Sequence, residues 1–375
     1  MKFGGTSVRD DASRAVALAH VRRHHKAGRR VVVVVSAMGR EGEPYATDTL
    51  IGLLRGVGEP VPARELDLVM SCGETLSAAF FAHLLSKSKI PALAFTGQQA
   101  GILTDEAAGE AEILDVEPTL LRRALMQRKI AVVAGFQGAD ADGEIRTLGR
   151  GGSDTSAVAL GAALEASVVE IYSDVDGIAC ADPRRIPDAP FLEEIGASQI
   201  LAMAEEGSKV INPRAVKASL DARTPIRARN TFSEAPGTLI HHREIEGELC
   251  PVALAHREKQ MLLEIRSKQD PRRTVPELLE VGRFRFLLKS DVYLSERLSK
   301  LRAAFGNFEM EEGWGTASVI LSRMEVVEAP DLEDVEKMPL APGVWGYLLR
   351  EENLEAVLRE LFQTHLAEPP DRHEP

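Results

Sequence analysis

Residues 31–35 are five successive valines, and no other segment constrains the fold so tightly. A run of β-branched side chains reads as a strand. With no polar position in the run, both faces of that strand must be covered, which is the pattern of a parallel sheet. The flanking sequence supplies the covering helices. Asp10 or Asp11 can cap a helix carrying Ala15, Val16, Leu18, Ala19 and Val21, and Gly28 can end it. Helical spacing recurs over 75–86 through Leu76, Phe80, Phe81, Leu84 and Leu85, and again over 117–128 and 154–165. Strand-like segments alternate with these at 91–95, 130–134 and 168–172. Asn212-Pro213 reads as a helix start, and 225–228 as the last strand before Gly237 opens the way out.

Alternating strands and helices imply an α/β fold, with a mostly parallel central sheet covered by helices on both faces. Ligands of such sheets lie beyond the carboxyl ends of the strands. Functional residues are therefore expected just after each strand.

The 375 residues exceed one core and suggest two or three domains. Residues 241–375 carry 18 basic and 26 acidic side chains, against 27 and 31 in 1–240. A boundary near 240 follows, with 241–366 a smaller α+β module and 367–375 a polar, Pro-rich flexible tail. Its strand-like segments are 252–256, 261–265, 285–288, 318–321 and 344–349, with a helix over 354–366. No internal repeat is visible. The net charge of -12 lacks the basic excess of a nucleic-acid binder. The three cysteines, Cys72, Cys180 and Cys250, are too few and too scattered for a disulfide framework or zinc cluster, and fit a reducing cytoplasm. The valine run falls far short of the roughly 20 residues of a spanning helix, and no apolar leader follows Met1.

Five segments carry chemistry. In Lys2-Phe3-Gly4-Gly5-Thr6-Ser7, adjacent glycines let backbone amides approach an anion and Lys2 adds positive charge, although an ordinary turn reads the same way. Gly149-Arg150-Gly151-Gly152-Ser153-Asp154 opens a helix whose free amides attract an anion. Arg150 can grip a carboxylate in two-pronged fashion. Asp154 is either a helix cap or a residue that orients a lysine or metal. Ser173-Asp174-Val175-Asp176-Gly177 ends a strand and precedes Asp182-Pro183-Arg184, where carboxylates could hold a ribose or Mg2+, and Arg184 a phosphate, or an Asx turn could simply form. Ser71-Cys72-Gly73-Glu74 reads as a loop-to-helix join, with Cys72 a small buried residue. Glu74 there either binds an ammonium group or favours a helix start. Lys209 reads as solvated or as a ligand. The histidines show no metal spacing; His20, His24 and His25 read as solvated residues on a cationic helix face, and His241-His242 as a linker pair.

Taken together, these segments resemble aspartate kinase, of the monofunctional bacilli type. The resemblance spans residues 2–240. It rests on Lys-Phe-Gly-Gly-Thr-Ser, Val-Ser-Ala-Met-Gly (35–39), Thr47-Asp48, Cys-Gly-Glu (72–74), Gly-Phe-Gln-Gly (135–138), Gly-Arg-Gly-Gly-Ser-Asp-Thr (149–155), Ser-Asp-Val-Asp-Gly, Asp-Pro-Arg and Lys-Val-Ile-Asn-Pro-Arg (209–214). The resemblance implies an amino acid kinase fold followed by an ACT-like regulatory and dimerisation region. It implies transfer of the ATP γ-phosphoryl group to the side-chain carboxylate of L-aspartate, the entry to lysine, threonine, methionine and diaminopimelate synthesis. Lys2 matches the lysine that neutralises the transferring phosphoryl, and Asp154 the acid that holds it. Ser36, Thr47, Glu74, Phe136, Arg150 and Ser153 match the aspartate pocket. Gly4, Gly5, Ser173, Asp174, Arg184 and Lys209 match the ATP side. Mg2+ is expected mainly through the ATP phosphates, with no resident protein-held metal. A cytoplasmic homodimer, formed through the C-terminal region, with no nucleic-acid or membrane partner, is implied as well. An idle regulatory paralog or another amino acid kinase is the alternative.

Three departures stand out. The family has a short apolar strand before its lysine, where only Met1 stands here; a misassigned start or truncated strand is expected. Ala179 and Asn212 occupy positions where the family often has Tyr and His. The C-terminal region matches weakly, at 252–256, 342–349 and the final helix, so weakened lysine or threonine feedback is expected.

Overall fold

The computed structural model describes residues 1–39, 42–43, 45–149, 151–208, 211–243, 249–291, 293–333 and 335–367. Two compact units emerge. The first comprises 1–178, 191–197 and 211–242; the second comprises 179–190, 198–210 and 243–375. The division is thus not a single cut near 240, because two excursions from the first unit's sheet pack with the C-terminal residues.

In chain order the elements through residue 241 are β1 (Lys2–Phe3), α1 (Gly5–Val8), α2 (Asp11–Lys26), β2 (Val32–Val35), α3 (Thr47–Arg55), α4 (Ala63–Lys87), β3 (Ala92–Phe95), β4 (Ile102–Thr104), β5 (Ile113–Val116), α5 (Thr119–Met126), β6 (Ile130–Ala134), β7 (Gln137–Ala139), β8 (Ile145–Thr147), α6 (Gly152–Ala163), β9 (Val169–Ser173), β10 (Glu194–Gly196), α7 (Ala197–Glu205), α8 (Pro213–Ala222), β11 (Ile226–Asn230) and β12 (Thr238–His241). Among the described residues one sheet has the order β10-β12-β11-β9-β1-β2-β6-β3. All its pairings are parallel except β11 with β12. β12 also shows that 225–228 is not the last strand: Gly237 turns the chain back at φ +74. A second sheet, β5-β4-β7-β8, was not legible, because three- and four-residue strands carry too little periodicity.

The valine strand sits between β1 and β6, with Val33, Val34 and Val35 almost fully buried. Each such side chain contributes about 1.5–3 kcal/mol through burial. Phe3 stacks on Tyr172 at 4.8 Å and meets Phe81 of α4 at 6.0 Å, in a core completed by Val8, Val21, Leu85 and Val132. β1 spans only two residues, yet Lys2 is in register with Val34 on one side and Ile171 on the other, so its backbone is anchored on both. Asp10 caps α2, its carboxylate accepting the Ser13 N–H at 2.7 Å.

By length and composition α4 could cross a membrane. It carries buried Asp67 and Glu74 and packs on β3 and β6, which makes it a core helix of the sheet. The ring of Asp67 contacts explains its burial: Thr147 Oγ1 donates to it at 2.6 Å and Gly109 N–H at 3.0 Å.

The second unit contains β13 (Pro251–Glu264), β14 (Leu279–Gly282), β15 (Arg285–Lys289), α9 (Leu294–Phe305), β16 (Glu309–Leu321), β17 (Glu336–Lys337), β18 (Val344–Arg350) and α10 (Leu354–His365). Its sheet order is β14-β15-β13-β16-β18-β17, with β13 antiparallel to β16. The two halves, β13-β14-β15-α9 and β16-β17-β18-α10, repeat one pattern back to back. Residues 252–256 and 261–265 are not separate strands: β13 runs through both, with register shifts between Arg257 and Leu262 and Lys259 at φ +55. Of the tail expected over 367–375, Ala367 still donates its N–H to Phe362 O at 2.9 Å, and 368–375 lies outside the described residues.

Candidate active site

The parallel strands β9, β1, β2 and β6 deliver four loops to one edge of the first unit. The ladder runs on past the strand ends: Ser36 N–H donates to Phe3 O at 3.1 Å, Gly135 N–H to Val35 O at 3.0 Å, and Gly4 N–H to Tyr172 O at 3.4 Å. Gly4-Gly5, Ser36-Ala37, Gly135-Phe136 and Ser173-Asp174 are thereby neighbours, at the carboxyl ends where ligands of such sheets bind.

Lys2 reaches back over this edge. Its Nζ lies 2.7 Å from Asp154 Oδ1, with side chains only 12% and 16% exposed. A Cβ on Gly4 would lie 3.6 Å from Nζ, and one on Gly5 would lie 3.2 Å from Ala37 O. The glycines let the backbone run close beside the ammonium group. Asp154 belongs to the first turn of α6, whose N-cap is Gly151 at φ +78 without a side-chain cap bond. The cap reading of Asp154 therefore fails, and its carboxylate holds the lysine. The positive end of α6 faces the same place.

Glu74 occupies the interior of α4, not a loop-to-helix join, because the helix begins eleven residues earlier at Ala63. The polar Ser71-Cys72-Gly73 stretch interrupts the apolar spacing and hides the earlier turns of the helix. Glu74 is buried. Its Oε1 accepts the Ala37 N–H at 3.1 Å, and its buried Oε2 has no hydrogen-bond partner among the described residues. Burial pushes the carboxyl up to about 7, against the opposing pull of the Ala37 N–H and the Lys2 charge. Cys72, two residues before, is exposed rather than buried.

Gly73 brings α4 close to the loop. A Cβ there would meet Ala37 Cβ at 2.9 Å, Tyr45 O at 3.4 Å and Thr47 Oγ1 at 3.7 Å. Mid-helix glycine costs about 1 kcal/mol relative to alanine, and close approach is the return. Gly73→Ala is expected to gain that propensity but lose about 1–3 kcal/mol to overpacking, while displacing Ala37 from Glu74. Thermal unfolding should show a lower Tm; an unchanged or higher Tm would mean the loop yields freely.

On the far side, Phe136 adopts φ +69, with its N–H bonded to Ser156 Oγ at 3.1 Å and its C=O accepting from Leu148 N–H at 2.9 Å. Left-handed backbone at a non-glycine residue is strained and held by its surroundings. A Cβ on Gly135 would lie 2.9 Å from Ser153 Cβ, and one on Gly152 would lie 3.0 Å from Phe136 Cδ2. Phe136 and Ser153 therefore adjoin each other, next to Asp154. Ser173 ends β9, and the Val175 N–H approaches its Oγ at 3.4 Å. Asp174 is exposed beside it.

Thus Lys2, Gly4, Gly5, Ser36, Thr47, Glu74, Phe136, Ser153, Asp154, Ser173 and Asp174 lie along one edge of the first unit. Arg184 belongs to the second unit, where it is exposed and its N–H donates to Asp182 Oδ1 at 2.9 Å. Arg150 and Lys209 lie outside the described residues. Asn212 and Arg214, both within the 209–214 segment of the resemblance, also serve the glycine turn. Asn212 lies against Gly151, and Arg214 Nη1 donates to Leu148 O at 3.1 Å. Their separation of more than fifty residues from the turn hides this in the sequence. Among the described residues no group of three His, Cys, Asp or Glu side chains could hold a metal ion.

The sequence model of the amino acid kinase family matches residues 1–230. Aspartokinase 1 of Bacillus subtilis is 49% identical over 243 residues, covering 64% of this chain and 60% of that protein. The aspartokinase of Pseudomonas aeruginosa is 47% identical over 240 residues, covering 64% and 57%. The chain thus spans about three fifths of the length of these relatives. The crystal structure of E. coli aspartokinase III in complex with aspartate and ADP matches 98% of this chain and 99% of that one, with a TM-score of 0.73 and 23% identity. That likeness concerns the fold.

Proposed function

This chain belongs to the amino acid kinase family, and from that premise we propose that it is an aspartate kinase. It would transfer the γ-phosphoryl group of ATP to the side-chain carboxylate of L-aspartate, giving 4-phospho-L-aspartate and ADP. The observation that carries the reading is Lys2 held by Asp154 at the strand edge, with the buried carboxyl of Glu74 close enough to feel its charge.

The chemistry asks for little beyond alignment and charge neutralisation. An aspartate carboxylate is ionised at pH 7, so its oxygen attacks phosphorus without a general base. The bond from the γ-phosphorus to the bridging oxygen breaks, and ADP leaves with that electron pair. Lys2 offsets the charge on the moving phosphoryl group, and the Gly4-Gly5 turn borders it. Glu74 receives the substrate ammonium, with Ser36, Thr47, Phe136 and Ser153 around the rest of the molecule. Arg150 would meet the α-carboxylate. Ser173 and Asp174 form the first unit's share of the proposed nucleotide side; Arg184 and Lys209 are nucleotide candidates by the sequence resemblance alone. Mg2+ would arrive on the ATP phosphates, where it would supply further charge neutralisation.

ATP-dependent hydroxamate formation tests the reading. L-aspartate should be turned over at least about 10- to 100-fold faster than L-glutamate, the margin one methylene allows. Equal or better use of glutamate, or ATP hydrolysis indifferent to aspartate, would overturn it.

A further inference from the structure

Two loops carry the proposed nucleotide side, residues 4–7 after β1 and 173–177 after β9, and one buried residue ties them together. Thr231 follows β11 and is fully buried, as is Ser7. Its N–H donates to Ser173 O at 2.8 Å. Its hydroxyl and that of Ser7 are 2.7 Å apart, and neither has another hydrogen-bond partner among the described residues. Its carbonyl lies 2.8 Å from His20 Nε2. A carbonyl only accepts, so His20 carries a proton on Nε2. A guanidinium only donates, so His20 Nδ1 accepts from Arg23 Nη2 at 2.9 Å. His20 is therefore a buried fixture, not a solvated residue of a cationic face. On the other side, the Ser7 N–H donates to Gly4 O at 2.9 Å, closing the glycine turn on the residue Thr231 holds.

We propose that Thr231, acting through Ser7, is a positioning residue for the nucleotide. It fixes the spacing between the Gly4-Gly5 turn and the Ser173-Asp174 loop. A hydroxyl pair is suited to this, because in a dry site each partner is strictly required by the other. The proposal rests on the ATP-dependent reading of this site.

Thr231→Val keeps the shape and both backbone bonds but removes the hydroxyl. It is expected to raise KM for ATP about three- to tenfold, the effect of one buried hydrogen bond, with kcat and KM for aspartate within about twofold. Ser7→Ala should reproduce the change. The double variant should be no worse than the poorer single one, because the pair acts as a unit. Thr231→Ser should restore the ATP affinity. An unchanged KM for ATP in folded Thr231→Val, additive effects, or equal losses in every parameter would overturn the proposal. If the unaltered chain makes no acyl phosphate, the aspartate kinase reading fails by itself. Calorimetric titration with ATP then decides the positioning role, which falls if the unaltered chain and Thr231→Val bind equally.

Discussion

Lys2→Ala is expected to lower kcat by about 10³-fold while leaving a folded protein. The ammonium group sits 2.7 Å from Asp154, both side chains largely buried, and such a preorganised charge costs no reorganisation during phosphoryl transfer. Losing one such stabiliser typically costs about 10²–10³ in rate, and a full positive charge belongs at the upper end. The fold pays less. Asp154 loses its partner but stays at the start of α6, where the helix dipole favours a carboxylate. A destabilisation of about 1–3 kcal/mol follows, below the 3–5 of a fully buried pair. Coupled measurement of ADP release with circular dichroism separates the two effects. Activity near that of the unaltered chain would remove Lys2 from the mechanism.

Glu74→Gln has the second largest expected effect, and it divides function from stability. As receiver of a buried ammonium group, Glu74 must be ionised. Its loss leaves the substrate's charge unpaired, which lowers kcat/KM for aspartate by about 10²–10³ at pH 8. In the unaltered chain, kcat/KM should fall as pH drops below about 7, where Glu74 in the free enzyme takes up a proton. Glu74→Gln should lack that limb. Stability runs the other way. The folded carboxyl titrates near 7, above its unfolded value of 4.5, so the folded state binds the extra proton in between. Below 4.5 Glu74 contributes no pH-dependent term. From 4.5 to 7 the unaltered chain loses stability as pH rises, reaching roughly 3 kcal/mol above 7. The Tm difference between Glu74→Gln and the unaltered chain should therefore shift in favour of the variant between pH 5 and pH 8. A difference independent of pH, or full activity in the variant, would show that Glu74 is not the ionisable group at the ammonium site.

Much of the first unit was legible because its helices and strands are long enough to show a period. The valine run, the α2 caps and the Asn212 start of α8 all form as their local chemistry predicts. The glycine segments were legible as places of close approach, and those at Gly4, Gly5 and Gly151 do lie against the proposed site. Errors gathered where period and tertiary role disagree. The polar Cys-Gly-Glu stretch was read as a boundary, although α4 runs through it. His20 was read as solvated because its neighbours Arg22 and Arg23 are cationic, yet its own position on α2 faces the sheet. In the second unit, the bulge at Lys259 interrupts the alternation, so one strand looked like two.

By itself, the sequence determined the parallel α/β layering and the segments that carry charge and glycine, because both follow from local composition and short spacing. The resemblance already implied that Asp154 holds Lys2, and the two lie 2.7 Å apart. Only the tertiary structure decided the other meetings: it turned Glu74 inward to Ala37 and joined Ser7, His20 and Thr231 in one knot. The partners in these contacts stand as many as 224 residues apart. A pair distant in sequence leaves no periodic signal; it exists only once burial has fixed the sheet register and removed the water that would otherwise satisfy each group alone.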